Sequence, residues 1–249
     1  MGEFFDIGIA VSRYILLRYF FIAGGSFILF YVLIRRTGLL QKLQAQFPTL
    51  RAIGHEVLNS SLTIVIFALT ATLVLFLVPD STRIYYDQEE FGKLYFYLSF
   101  PIMFILHDTY FYWIHRLMHL PQIFKHVHLV HHRSTNPTPF AAYSFHVLEG
   151  FLEAAILPII AFSIPVHFDA LVLFLLIQFI YNVYGHTGFE LYPKWFSGTW
   201  IGKWINTSVA HNMHHKYFNG NYGLYFLFWD RLMGTLDDRY DEYFRNRRV

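Results

Sequence analysis

The chain has 249 residues, of which 55% are apolar, 20% aromatic and only 14% charged, well below the roughly one quarter charged of a soluble domain; this is the composition of a membrane protein. A formal net charge of +2 and a pI near 8.7, with no basic tracts, exclude nucleic acid as the partner. Cysteine is absent and histidine occurs 14 times, so disulfides, thiolate ligands and a cysteine nucleophile are excluded, and any dense metal site must be built from imidazole and carboxylate.

Five apolar segments follow one another: Leu16 to Ile34, Leu62 to Val78, Leu94 to Leu106, Phe151 to Ile164 and Phe168 to Tyr184. The first has no small-residue cleavage site and runs into Arg35 and Arg36, so it reads as a retained anchor. The third is prolonged by Tyr110 to Ile114, and Leu94 to His115 then covers roughly 32 Å at about 1.5 Å per residue, enough to cross and to deliver His115 near an interface. The fourth is interrupted by Pro158 and stops at Pro165, which leaves open a full crossing or a re-entrant arm. In either case the fourth and fifth segments form a hairpin, with His146 before it and His186 after it on one side.

Loop charge predicts the orientation. The loop after the first segment carries Arg35, Arg36, Lys42 and Arg51 against Glu56, whereas Asp80 to Lys93 is mainly acidic, so the former is expected on the cytoplasmic side together with every His-rich stretch and the basic tail. The predicted fold is an all-α integral membrane bundle of about four to five segments, with a cytoplasmic helical cap carrying a His-rich dimetal site. Residues 1–93 are expected to form an anchor region, 94–240 a catalytic region within one integrated domain, and 241–249 a basic tail.

Three stretches carry the chemistry: His115-Arg116-Leu117-Met118-His119, His128-Leu129-Val130-His131-His132 and His211-Asn212-Met213-His214-His215. Spacings of three and four stack imidazoles on one helix face. Eight histidines exceed the four to six ligands that one ion uses, so two metals fit the count; imidazole suits Fe, Zn, Cu and Ni alike. His186 is a ninth candidate, because Gln178, Asn182 and His186 make a polar stripe on an otherwise apolar helix, and such stripes face a bundle interior. His146, Glu149 and Glu153 form a comparable stripe where the fourth segment begins, although acidic residues there also suit the helix dipole. His55 and His167 have no histidine neighbour at helical spacing, and His126 lies off the face of His128; all three are expected outside the site. Seven residues bring Asp108 to within roughly 20° of His115 on a helix, whereas His107 is turned roughly 80° away. Asp108 is therefore expected to accept the second N–H of a metal-bound imidazole, and His107 to stay outside the ligand set.

These residues resemble the sterol desaturase and fatty acid hydroxylase family, whose pattern is HxxxH, HxxHH, HxxHH. The likeness extends through His107 to His119, Pro137-Thr138-Pro139-Phe140, Ser144-Phe145-His146, His186-Thr187-Gly188, Asn221-Tyr222-Gly223, Trp229-Asp230-Arg231 and Gly234-Thr235, and covers roughly Tyr95 to Asp237. Val147 stands where the family often has proline. The resemblance implies two irons held by the histidines, dioxygen as co-substrate, an auxiliary role for His146, and hydroxylation or desaturation of a lipid such as a sterol or fatty acyl chain. No fused haem, flavin or dinucleotide module is evident, which implies a separate electron donor. The rival reading is a histidine-rich metal transporter or carrier, but transporters place ligands near the bilayer midplane, whereas here they lie at segment ends. A haem cytochrome would need single facing histidines rather than HxxHH groups.

Overall fold

The computed structural model describes residues 2–77 and 79–249. It is all-α apart from two strands of two residues each. Helix α1 runs unbroken over Gly2–Thr37, with wider turns at Phe20–Gly24 and Ile28–Ile34; α2 covers Leu50–Leu77 and α3 Gly92–Met118. Short helices α4 (Pro121–Val127) and α5 (Leu129–His132) follow, then α6 (Val147–Ala154), α7 (Ile156–Ser163), α8 (Phe168–His186), α9 (Ser208–Tyr217), α10 (Phe228–Leu232) and α11 (Tyr240–Asn246).

Three of these helices, α1, α2 and α8, are long and apolar enough to cross a membrane. Phe21 is 75% exposed and Val65 65% exposed on them; hydrocarbon is the solvent that suits such side chains. The predicted third segment lies within α3, which is long enough, but its polar buried face of Ser99, His107, Asp108 and His115 sets it apart from the other three. The predicted fourth segment is broken at Ala155 into two helices of 8 residues, each about 12 Å long at 1.5 Å per residue. The second predicted segment ended at Val78, which lies outside the described residues.

The hairpin of α6, α7 and α8 has two distinct ends. At its tip, strand β2 (Val166–His167) pairs in parallel with β1 (Ile84–Tyr85), joining the acidic loop to the turn before α8. His167 caps α8 there, accepting the Asp169 N–H at Nδ1 while Nε2 lies 2.9 Å from the Tyr86 carbonyl. At the opposite end the basic loop closes over the chain that follows α8: the Leu43 N–H donates to Gly188 O, Gln44 Nε2 to Asn212 Oδ1, and the Val249 N–H to Leu43 O. The ends of α3 and α8, all of α9 and the C-terminus therefore gather at the basic-loop end.

The N-terminal helices are built into the rest of the molecule. Tyr19, Tyr143 and Phe179 form one buried cluster, and Arg18 donates to Tyr143 Oη and to the Leu175 carbonyl. On α2, Ser60 donates to the Phe140 carbonyl, and Glu56 accepts the hydroxyl and the N–H of Thr138. These contacts fix the 134–145 segment against the helices. In Thr138→Val the buried Glu56 carboxyl loses a hydroxyl partner, which is expected to cost about 1–3 kcal/mol and to lower the thermal unfolding midpoint in detergent; an unchanged midpoint would show that the contact carries no stability.

Candidate metal centre

The end of α3 places His115 and His119 on one face, four residues apart. Leu120 is extended and Pro121 opens α4, a position where the missing proline N–H costs nothing, so the chain turns back over the end of α3. His128 sits at the junction of α4 and α5, and the single turn of α5 carries His131 and His132. In α9, capped by Thr207 Oγ1 accepting the Ala210 N–H, come His211, His214 and His215.

These side chains form two groups whose nearest ring nitrogens all lie within 4.8 Å of one another: His115, His119, His128, His132 and His214 in one, His131, His186, His211 and His215 in the other. The division follows helix geometry. In each HxxHH stretch the residues four apart stay in one group, and the residue between them, turned away on the helix, crosses to the other. The two stretches do this in opposite senses, so α5 and α9 each serve both groups and hold them side by side.

The tautomers make the case for a metal. Nδ1 of His115, His131, His186, His214 and His215 faces the backbone carbonyl of Tyr222, Ser144, Asn182, Gly220 and Ser134, respectively, at 2.7–3.3 Å. Nδ1 of His128 lies 2.7 Å from Glu149 Oε1. A carbonyl only accepts, so the five Nδ1 atoms that face one carry the proton, and in a neutral ring Nε2 is then a bare lone pair. Yet Nε2 of His186 faces those of His215 at 3.2 Å and His131 at 3.5 Å. No proton is available to share across these contacts, and opposed lone pairs repel. A cation between them reverses the sign. Nε2 of His214 is buried without any protein partner, as a metal ligand would be.

Burial, and after it the neighbouring imidazoles, hold His128, His131, His132, His211 and His215 well below the usual histidine range; burial takes His214 down to about 4. The rings are therefore neutral at physiological pH, the form that binds metal. Nine imidazole nitrogen donors, six of them on rings whose second nitrogen is braced, suit borderline transition-metal ions and do not suit calcium or magnesium.

All nine histidines expected as ligands lie in these two groups. His146 does not: it is the N-cap of α6, its Nδ1 accepting the Leu148 N–H at 3.3 Å. His55 and His126 are exposed, and His107, though buried, bonds Tyr225 Oη at 2.9 Å. Asp108 meets no imidazole. Its carboxylate accepts the Tyr225 and Phe226 N–H groups at 2.8 and 3.2 Å, because the 222–226 segment lies against α3 and brings backbone donors to that face. The residue that braces His115 is Tyr222, through its carbonyl, so Asp108 acts on His115 by holding the segment that contains Tyr222. Two carboxylates were not singled out for their roles from sequence. Glu149 bonds His128, a contact hinted at only by its place in the stripe with His146 and Glu153. Asp230 clamps the Tyr222 and Gly223 N–H groups, both at 2.8 Å; its sole signal was the Trp-Asp-Arg stretch.

Two substitutions test this architecture. Glu149→Ala removes the brace on His128 and is expected to weaken metal binding about 10- to 100-fold, read as metal content after chelator challenge; full retention would show that the contact is idle. At Gly185 a Cβ would stand 3.2 Å from His211 Cδ2, so Gly185→Ala is expected to displace that ring and to deplete the four-histidine group first. Elemental analysis checks this, and equal loss from both groups would count against it.

The comparisons with known proteins agree with this geometry. The fatty acid hydroxylase family model matches residues 100–235, the stretch that contains all nine histidines. The Delta(7)-sterol 5(6)-desaturase of Leptosphaeria maculans is 36% identical over 162 residues, 64% of this chain and 43% of the relative. A Delta(7)-sterol 5(6)-desaturase of Gibberella zeae is 33% identical over 186 residues, covering 74% and 55%, and lathosterol oxidase of Homo sapiens is 33% identical over 169 residues, covering 67% and 55%. The chain spans about half the length of the curated relatives it matches. No solved structure matches it. With its three histidine stretches inside the matched region and folded into two facing groups, the chain belongs to the fatty acid hydroxylase family.

Proposed function

We propose that the protein is a membrane-bound non-haem di-iron oxygenase that uses dioxygen and external electrons to hydroxylate or desaturate a C–H bond of a lipid. The observation that carries this reading is the convergence of bare Nε2 lone pairs in two adjacent groups beside an apolar cavity. His115, His119, His128, His132 and His214 are assigned to one iron and His131, His186, His211 and His215 to the other. Two irons held there supply an oxidant derived from dioxygen that is strong enough to break an unactivated C–H bond.

The chain's own part is to orient, to exclude water and to admit substrate. Backbone carbonyls hold the Nδ1 protons of five rings and Glu149 braces a sixth, which keeps those six Nε2 atoms aimed inward. A cavity of about 360 Å³ lies among α1, α2, α6, α7 and α8. It reaches Phe145, whose ring centroid is 5.1 Å from that of His131, and Asn182, whose carbonyl braces His186. A lipid in this cavity lies beside the four-histidine group and away from bulk water, as an aggressive oxidant requires. The matched relatives carry sterol desaturase names, which favours a sterol as the lipid and an alkene as the product. Eight of the nine histidines are fully buried, and His119 alone is partly open; a separate donor is assigned to that side, and the basic-loop end to the cytoplasm.

Three measurements test the proposal. Purified protein is expected to hold two irons per chain without haem absorbance, whereas zinc alone would sink the oxygenase reading. Alanine at any one of the nine histidines is expected to abolish turnover while membrane insertion persists; wild-type turnover in two or more such variants would remove the shared site. Because the chain has no cysteine, single cysteines at Arg248 and Asp87 are expected to react with an impermeant reagent from opposite sides of the membrane, Asp87 from outside. Labelling of Arg248→Cys in intact cells would overturn the orientation.

A further inference from the structure

The apolar cavity contains one acidic side chain. Glu153 lies on α6 four residues after Glu149, on the same face and one turn deeper into the helices. Among the described residues it has no hydrogen-bond partner and no ion pair. Arg18, the cation in the same cavity, is already engaged: it donates to Tyr143 Oη at 2.6 Å and to the Leu175 carbonyl at 3.0 Å, and its guanidinium stands 5.2 Å from the Phe179 ring centroid. Much of the remaining wall is hydrocarbon, including Phe67, Ala154, Leu157 and Leu171. A carboxyl group left without a partner in such surroundings is costly, and intramembrane acids that persist there face something that bonds them. What reaches Glu153 is the content of the cavity.

We infer that Glu153 binds the hydroxyl group of the lipid substrate and makes the cavity selective for a neutral lipid alcohol over a lipid carboxylate. The inference rests on the oxygenase reading of the adjacent metal centre. The spacing sets the register. Glu149 bonds His128 at 2.7 Å, and one helical turn of about 6 Å separates Glu149 from Glu153. A hydroxyl held at Glu153 therefore lies on the order of 10 Å from the imidazole groups, a distance that one lipid molecule spans. A fatty acid would bring a carboxylate into a cavity whose cation, Arg18, is already engaged, so a negative charge would be buried there without a counter-ion. The hydrogen bond does not depend on protonation: a carboxylate accepts from the hydroxyl, and a carboxylic acid also donates to it.

The test uses the full-length, iron-loaded protein in lipid nanodiscs, with equilibrium binding of a radiolabelled Delta(7)-sterol, its 3-deoxy analogue and a long-chain fatty acid. Wild type is expected to bind the sterol more tightly than either of the others. Glu153→Leu is expected to weaken sterol binding about tenfold while leaving the 3-deoxy analogue unchanged, and Glu153→Gln, which still accepts and donates, to stay within about threefold of wild type. Iron content of both variants is expected to equal that of wild type. Equal binding of sterol and 3-deoxy analogue by wild type, tighter binding of the fatty acid, or an unchanged sterol affinity in Glu153→Leu would each overturn the assignment, as would loss of iron with the sterol-to-analogue ratio intact. Iron content and sterol oxidation by wild type, measured in parallel, separate the two claims. A wild type without iron or oxidation refutes the oxygenase reading, whereas an active wild type with an unaltered Glu153→Leu affinity refutes only the role of Glu153.

Discussion

Lone-pair repulsion between facing imidazoles is the constraint around which this molecule is arranged. Nε2 atoms 3.2–3.5 Å apart, with their protons committed to the far nitrogen, would swing apart unless each ring were anchored from behind. Six rings are anchored in this way, five by backbone carbonyls and one by Glu149. Most of those carbonyls belong to irregular chain, at Ser134, Ser144, Gly220 and Tyr222, which must itself be rigid. Its rigidity is supplied by buried side chains: Asp230 holds the Tyr222 and Gly223 N–H groups, Asn221 donates to the Ala210 carbonyl, and Asn206 donates to the Gly223 and Leu224 carbonyls. Asp108 completes the set at Tyr225 and Phe226. The loops between the helices are thus the scaffold of the metal centre, and the helix ends present the rings.

The same arrangement explains why the N-terminal helices are built into the molecule. The Ser144 carbonyl that orients His131 lies in a segment held from below by α1 and α2, through Tyr19, Ser60 and Glu56. Those helices also wall the apolar cavity with α6, α7 and α8. One set of contacts therefore serves both demands of the proposed oxidising centre, a fixed ligand geometry and a dry approach. The break of the fourth segment into α6 and α7 belongs to this design: it lets α6 carry Glu149 to His128 and Glu153 to the cavity, while α7 ends at the short parallel sheet that closes the far side.

Much of this was legible in the linear chain. Hydrophobic run lengths located the helices, the spacings HxxxH and HxxHH pointed to eight histidines, and the polar stripe of Gln178, Asn182 and His186 pointed to the ninth, because helical periodicity depends only on sequence distance. Helix phase led to the expectation that Asp108 braces His115, whereas its carboxylate accepts the Tyr225 and Phe226 N–H groups.

The contents of the space between elements were not legible. Whether a carboxylate meets an imidazole or a backbone N–H depends on which distant segment packs there, and the 222–226 segment took both the face of Asp108 and the proton of His115. The division of the histidines into groups of five and four, the pairing of Glu149 with His128 and the solitary position of Glu153 likewise arise from elements far apart in the chain. The sequence by itself determined which residues share a helix face, since that is a local consequence of backbone geometry. Only the tertiary structure decided which faces meet, since that is set by packing and by the demand that every buried polar group find a partner.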